Sequence, residues 1–163
     1  RFRRRLGALS HAPRAIVNLS STAAILASRH RAAYVASKHA LEGLMLCLRA
    51  EMEGSGIHVS LIEPGPLKSR FGVNGMSWLS ERIDSENSVH RAQYEAQMRR
   101  RLPGGSGSSR KRGPEAVHAV LRHALLSSRP RPHYFVTWQA RLGVALKRIL
   151  PAVLFYRLVA SRG

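Results

Sequence analysis

A chain of 163 residues, 44% of them hydrophobic, has room for one domain with a real core but not for two large ones. A formal net charge of +18 raises nucleic acid and anionic membranes as partners. The arginines are spread along the chain without a reader motif or an aromatic platform, so nucleic acid is not expected.

Cys47 is the single cysteine, which excludes an intrachain disulfide and makes a reducing, cytoplasmic setting the expectation. No apolar run approaches the roughly 20 residues that span a bilayer. The basic start Arg1–Arg5 has no apolar stretch behind it, so no secretory leader is expected. The first residue is not Met, and a fragment of a longer chain is the expectation.

In chain order, Arg1–Leu9 reads as the end of a helix and His11–Arg14 as a turn. The β-branched run Ala15–Leu19 suits a buried strand. Ser20–Arg31 reads as a loop. Residues Ala32 to Glu53 show a helical period with two apolar stripes. Leu41, Leu44, Met45, Leu48 and Met52 form the first, fit to cover a sheet. Ala36, Ala40, Gly43 and Cys47 form a small-residue stripe that lets another helix approach, as in a homo-oligomer, and Cys47 is read there as a packing residue. Lys38, Glu42, Arg49 and Glu53 fall on a polar face. Gly54-Ser55-Gly56 closes the helix.

Ile57–Ile62 reads as a second strand. Two strands joined by a long helix run parallel with a right-handed crossover. Ligands of such sheets bind beyond the carboxyl ends of the strands. Ser20–Thr22 and Glu63–Pro66 both follow strand ends, and Tyr34 and Lys38 open the helix that starts at the same edge.

Farther on, Lys68–Ser88 reads as an irregular lid and Val89–Leu102 as a helix. Pro103–Gly113 is a Gly/Ser-rich basic linker. Pro114 suits the start of a helix that Glu115–Leu126 continues. His133–Trp138 reads as a strand. Ala140–Leu150 and Ala152–Ala160 read as basic amphipathic helices divided by Pro151, either packed as a substrate lid or touching an anionic membrane surface. The expected division is a domain over residues 1–138, with the linker inside it, and a helical tail over 139–163. The eight histidines show no metal-ligand spacing, so no metal is expected.

The chemistry concentrates in three residues. Tyr34 and Lys38 are one helical turn apart and share a face. An ammonium beside a phenol favours the phenolate, which suits the phenol to exchange protons with a substrate. Lysine is scarce here, four against 23 arginines, which makes its presence at this spacing informative. Ser21, at a strand end, can hydrogen-bond a substrate oxygen. Pro64-Gly65-Pro66 forms a rigid turn that can approach a planar ring.

Ile16-Val17-Asn18-Leu19-Ser20-Ser21, then Tyr34-x-x-x-Lys38, then Glu63-Pro64-Gly65-Pro66, resemble the short-chain dehydrogenase/reductase family. The resemblance implies an α/β fold: a truncated Rossmann-like, doubly wound parallel sheet with flanking helices. It implies an enzyme that interconverts an alcohol and a ketone or aldehyde with NAD or NADP. On that resemblance Tyr34 is the general acid/base, Lys38 favours its phenolate and holds the nicotinamide ribose, and Ser21 polarises the substrate oxygen. Pro64 and Gly65 line the nicotinamide, and Ser69 stands near its carboxamide.

The family's Gly-rich phosphate-binding turn and its catalytic asparagine have no counterpart here. Gly104-Gly105-Ser106-Gly107 follows no strand and is no substitute. The chain thus resembles the carboxyl-terminal portion of such an enzyme. The apolar tail and Trp78 point to a hydrophobic alcohol or ketone. Two other readings stay open: an inactive fragment serving as an interaction module, and a basic binder of anionic lipid or nucleic acid.

Overall fold

A computed structural model describes residues 14–27, 31–101 and 112–161. The helix end expected at Arg1–Leu9, most of the turn at His11–Arg14, and the linker at Pro103–Gly113 apart from its last two residues lie outside these. The chain divides into two compact units, residues 1–65 with 115–163, and residues 66–114.

The first unit is built on three parallel strands in the order β1-β2-β3. β1 is Arg14–Leu19, β2 is Ile57–Glu63 and β3 is His133–Phe135. Between β1 and β2 runs α1, Ala32–Glu51. Val17 lies opposite Ser60, and Ile62 opposite Tyr134. β2 is buried along almost its whole length because helices cover both its faces, as expected of a central parallel strand.

Alternation along β2 sorts its side chains. Ile57, Val59 and Leu61 pack with Met45 and Met52 of α1, joined by Leu41, Leu48 and Ile16. Ile62 points the other way, to Ala124, Tyr134 and Val136, with Val117, Val120 and Leu121 around them. Those last residues bring in α4, Glu115–Leu126. Ile62 is almost fully buried. Shortening it to valine is expected to cost about 0.5–1.5 kcal/mol, read as a lower urea midpoint with an unchanged slope.

The first expected stripe of α1 faces the sheet except at Leu44. Met45 and Met52 are buried, but Leu44 is exposed. It sits one residue before Met45, about 100° around the helix, and so turns off the sheet. The second stripe, Ala36, Ala40, Gly43 and Cys47, is exposed throughout. Cys47 is therefore not a packing residue within this chain. α1 stops as expected, with Gly54 and Gly56 both at φ of 71°, a conformation that suits glycine.

Three boundaries differ from the sequence reading. Thr22–Ala24 in the expected loop forms a 3-10 turn. β3 ends at Phe135, not Trp138, because Thr137 caps a helix: its Oγ1 accepts from the Ala140 N–H at 3.3 Å. That helix, α5, is Trp138–Ile149, and α6 is Ala152–Ser161 beyond Pro151. Among the described residues no helix is long and apolar enough to cross a membrane.

The second unit corrects the expected lid. Phe71–Arg82 is a regular helix, α2, followed by α3, Arg91–Arg101. Gly72 and Gly75 hide α2 in the sequence, since each glycine lowers helix propensity by about 1 kcal/mol. Local pairs offset this: Ser77 donates to Glu81 at 3.0 Å, and the Arg82 guanidinium lies 5.0 Å from the Trp78 ring centre. Gly72, Met76 and Leu79 form its half-buried stripe.

Candidate active site

The carboxyl edge of β1 and β2 is tied together by backbone. Ser20 N–H donates to the Ile62 carbonyl at 2.8 Å, and Thr22 N–H to the Pro64 carbonyl at 3.1 Å. Ser21 sits between them as the cap of the 3-10 turn, its Oγ accepting from the Ala23 N–H at 3.2 Å. That contact uses a lone pair and leaves the hydroxyl proton available to a substrate oxygen. The 3-10 turn packs against α1. Tyr34 and Lys38 occupy the first two turns of α1, half-buried, with Lys38 Nζ 5.9 Å from the centre of the Tyr34 ring. Ser21 thus stands on the 3-10 turn, and Tyr34 and Lys38 on the helix packed against it.

The segment behind Ser21 is held from outside. Lys147 of α5 donates to the Ile25 carbonyl. Gly143 lies against Leu26 so closely that an added Cβ would stand 2.6 Å from its Cδ1. Sequence reading missed both contacts, since neither Gly143 nor Lys147 stands in a motif.

Pro64 and Gly65 leave β2 at the same edge, both half-buried. A Cβ on Gly65 would collide with Thr137 Oγ1 and touch the Ala140 methyl. The glycine is therefore required by the cap of α5, apart from any ring it faces. Ser69 lies in the second unit, exposed in the turn ahead of α2.

A second group of polar residues was not expected. Glu42, read as part of a polar face, is largely covered, with its side chain 13% exposed. Glu63 is fully buried, and His133 lies between the two carboxylates. His133 Nδ1 is 2.9 Å from Glu63 Oε2 and 3.6 Å from Glu42 Oε1. The hydrogen bond to Glu63 pushes the His133 imidazole upward, against the opposing effect of burial. Burial, and then the neighbouring Glu63 charge, hold the Glu42 carboxyl above its ordinary range.

Comparison with known proteins follows the same outline. The family described as short chain dehydrogenase matches residues 9–79. An uncharacterized oxidoreductase of Escherichia coli, YbbO, is 38% identical over 143 residues, covering 88% of this chain and 47% of that protein. The Bos taurus dehydrogenase/reductase SDR family member 7B is 28% identical over 147 residues, covering 90% of this chain and 39% of its own. The chain thus spans about half the length, or less, of the curated relatives it matches.

Among solved structures, a short-chain dehydrogenase from Streptomyces avermitilis superposes with a TM-score of 0.62 at 25% identity, over 99% of this chain and 54% of that one. Another, from Burkholderia cenocepacia in complex with NADP, gives 0.61 at 19% identity, over 89% and 47%. The parallel sheet with helices on both faces is a Rossmann-like α/β arrangement, and the chain belongs to the short-chain dehydrogenase/reductase family.

Proposed function

We propose that this chain carries the proton-handling half of an NAD(P)-dependent oxidoreductase that interconverts an alcohol and a carbonyl compound. The observation that carries the reading is the placement of Ser21, Tyr34 and Lys38 at one sheet edge, on a 3-10 turn and the helix it packs against. The donor set fits a nicotinamide cofactor and a carbonyl oxygen: an ammonium, a phenol and a hydroxyl with a proton to give. The NADP of the Burkholderia relative supports the same cofactor class without separating NADP from NAD.

A nicotinamide cofactor, when bound, supplies or accepts the hydride. The residues of this chain handle the proton and the oxygen. In reduction, Ser21 Oγ donates a hydrogen bond to the carbonyl oxygen and holds it as negative charge develops. The Tyr34 phenol gives its proton to that oxygen, and the alcohol leaves neutral. In oxidation the phenolate takes the proton back. Lys38, with its ammonium over the Tyr34 ring, holds a positive charge beside the reacting phenol and reaches the cofactor ribose. Pro64 and Gly65, which leave β2 at the same edge, line the nicotinamide.

The exposed apolar side chains Trp138, Ile149, Val153 and Leu154 on α5 and α6 favour a hydrophobic alcohol or ketone as substrate. The exposed small stripe on α1 favours a second copy of this helix as its cover. Ser21→Ala in the full-length protein is expected to lower kcat about 10- to 100-fold, the worth of a hydrogen bond to a charged oxygen, with cofactor affinity unchanged. Steady-state rates and fluorescence titration of reduced cofactor measure the two quantities. Unchanged kcat would remove Ser21 from the mechanism.

A further inference from the structure

We propose that Glu42, Glu63 and His133 bind one divalent first-row transition-metal cation, of the zinc type. The three come from α1, β2 and β3, and their ligand atoms all lie within 4.8 Å of one another. Two independent features point to a missing partner. Glu63 is fully buried, yet its Oε1 has no hydrogen-bond partner, and Glu42 Oε2 is likewise buried and unpartnered. A buried acceptor left unsatisfied costs about 1–3 kcal/mol, and more when charged. Among the described residues no lysine or arginine forms an ion pair with either carboxylate.

Geometry and donor chemistry agree on the kind of ion. Ligand atoms about 2.1 Å from a tetrahedral centre lie roughly 3.4 Å apart. The observed separations of His133 Nδ1 from the two carboxylates, 2.9 and 3.6 Å, bracket that spacing. One imidazole with two carboxylates suits zinc, cobalt or nickel, whereas calcium and magnesium take oxygen sets. Three protein ligands leave a position for water, and the 23% exposure of the His133 side chain gives the ion a way in. A cation here would bridge α1 to the central strand β2 and the edge strand β3, one helical turn beyond Lys38. Its role is then to fix α1 on the sheet, and it holds whether or not Tyr34 is catalytic.

The test uses the full-length protein stripped with a chelator and titrated with Co²⁺, then Zn²⁺. The expected result is one equivalent of Co²⁺, with the visible absorption of a four- or five-coordinate ion that Zn²⁺ displaces. Thermal unfolding should shift upward with either ion, the stabilisation expected of a ligand that binds the folded state. Glu42→Gln and Glu63→Gln should each weaken binding at least about 100-fold, the upper end of what even an outer-shell change costs. Each should also abolish the ion-induced thermal shift, while its metal-free unfolding stays close to that of the unaltered protein. If Glu63→Gln does not fold, the exposed-side partner Glu42→Gln alone decides. Binding of less than half an equivalent, or a full equivalent retained in Glu42→Gln, overturns the proposal. The first leaves a proton as the shared ligand of the cluster, and the second places the ion elsewhere.

Discussion

Tyr34→Phe in the full-length protein is expected to lower kcat by about 10²- to 10⁴-fold, the usual contribution of a positioned general acid or base. Cofactor affinity should stay within a few-fold, because the ring and its position under Lys38 are kept. Turnover equal to the unaltered protein would sink the assignment of Tyr34, and with it the oxidoreductase reading. Stopped-flow measurement of hydride transfer beside equilibrium cofactor titration distinguishes lost chemistry from lost binding.

Gly65→Ala is expected to be the most damaging small change to stability near the site, by about 2–4 kcal/mol. Overpacking a close contact costs roughly 1–3 kcal/mol, and displacing a capping threonine adds about 1. The added methyl meets Thr137 Oγ1, and that oxygen can turn away only by releasing the Ala140 N–H. Thr137→Ala alone should cost about 1 kcal/mol through the cap. The double variant should cost less than the two singles combined, since the oxygen that clashes is gone. Denaturant midpoints for the four proteins complete the cycle. Strict additivity would mean that the added methyl does not act through Thr137, and that the tight exit from β2 has another cause.

Much of the first unit is legible because its signals are local. The β-branched run of β1, the period of α1 and the glycines at 54 and 56 each carry their own instruction. Tyr34 and Lys38 are readable as a pair because a helix fixes their distance. Ser21 is readable because a strand end fixes its edge. The helix over Phe71–Arg82 was not, since its glycines mimic a loop and its support comes from pairs such as Ser77 with Glu81. The cap at Thr137 carried a readable sign, a threonine ahead of a helical run, but the preceding strand signal masked it. The cluster of Glu42, Glu63 and His133 could not be read at all. Its members belong to three elements, and the contact of Glu63 with His133 spans 70 residues. Spacing rules for metal ligands look along one helix or one knuckle and are blind to such a set. Glu42 reads only as polar because the wheel of α1 shows which residues share a face, not which neighbour covers it.

The strand order β1-β2-β3 also has a kinetic meaning. β1, α1 and β2 are neighbours in the chain, so their contacts span a shorter stretch than those of β3 and are expected to form earlier. β3 must find β2 after a much longer excursion, and the entropy of that closure has to be met before any pairing repays it. The last strand to dock is the one that brings His133 to the two carboxylates and Thr137 to Gly65. The expected order of docking leaves Tyr34 and Lys38 on a formed helix while the surface beneath Glu42 is still open.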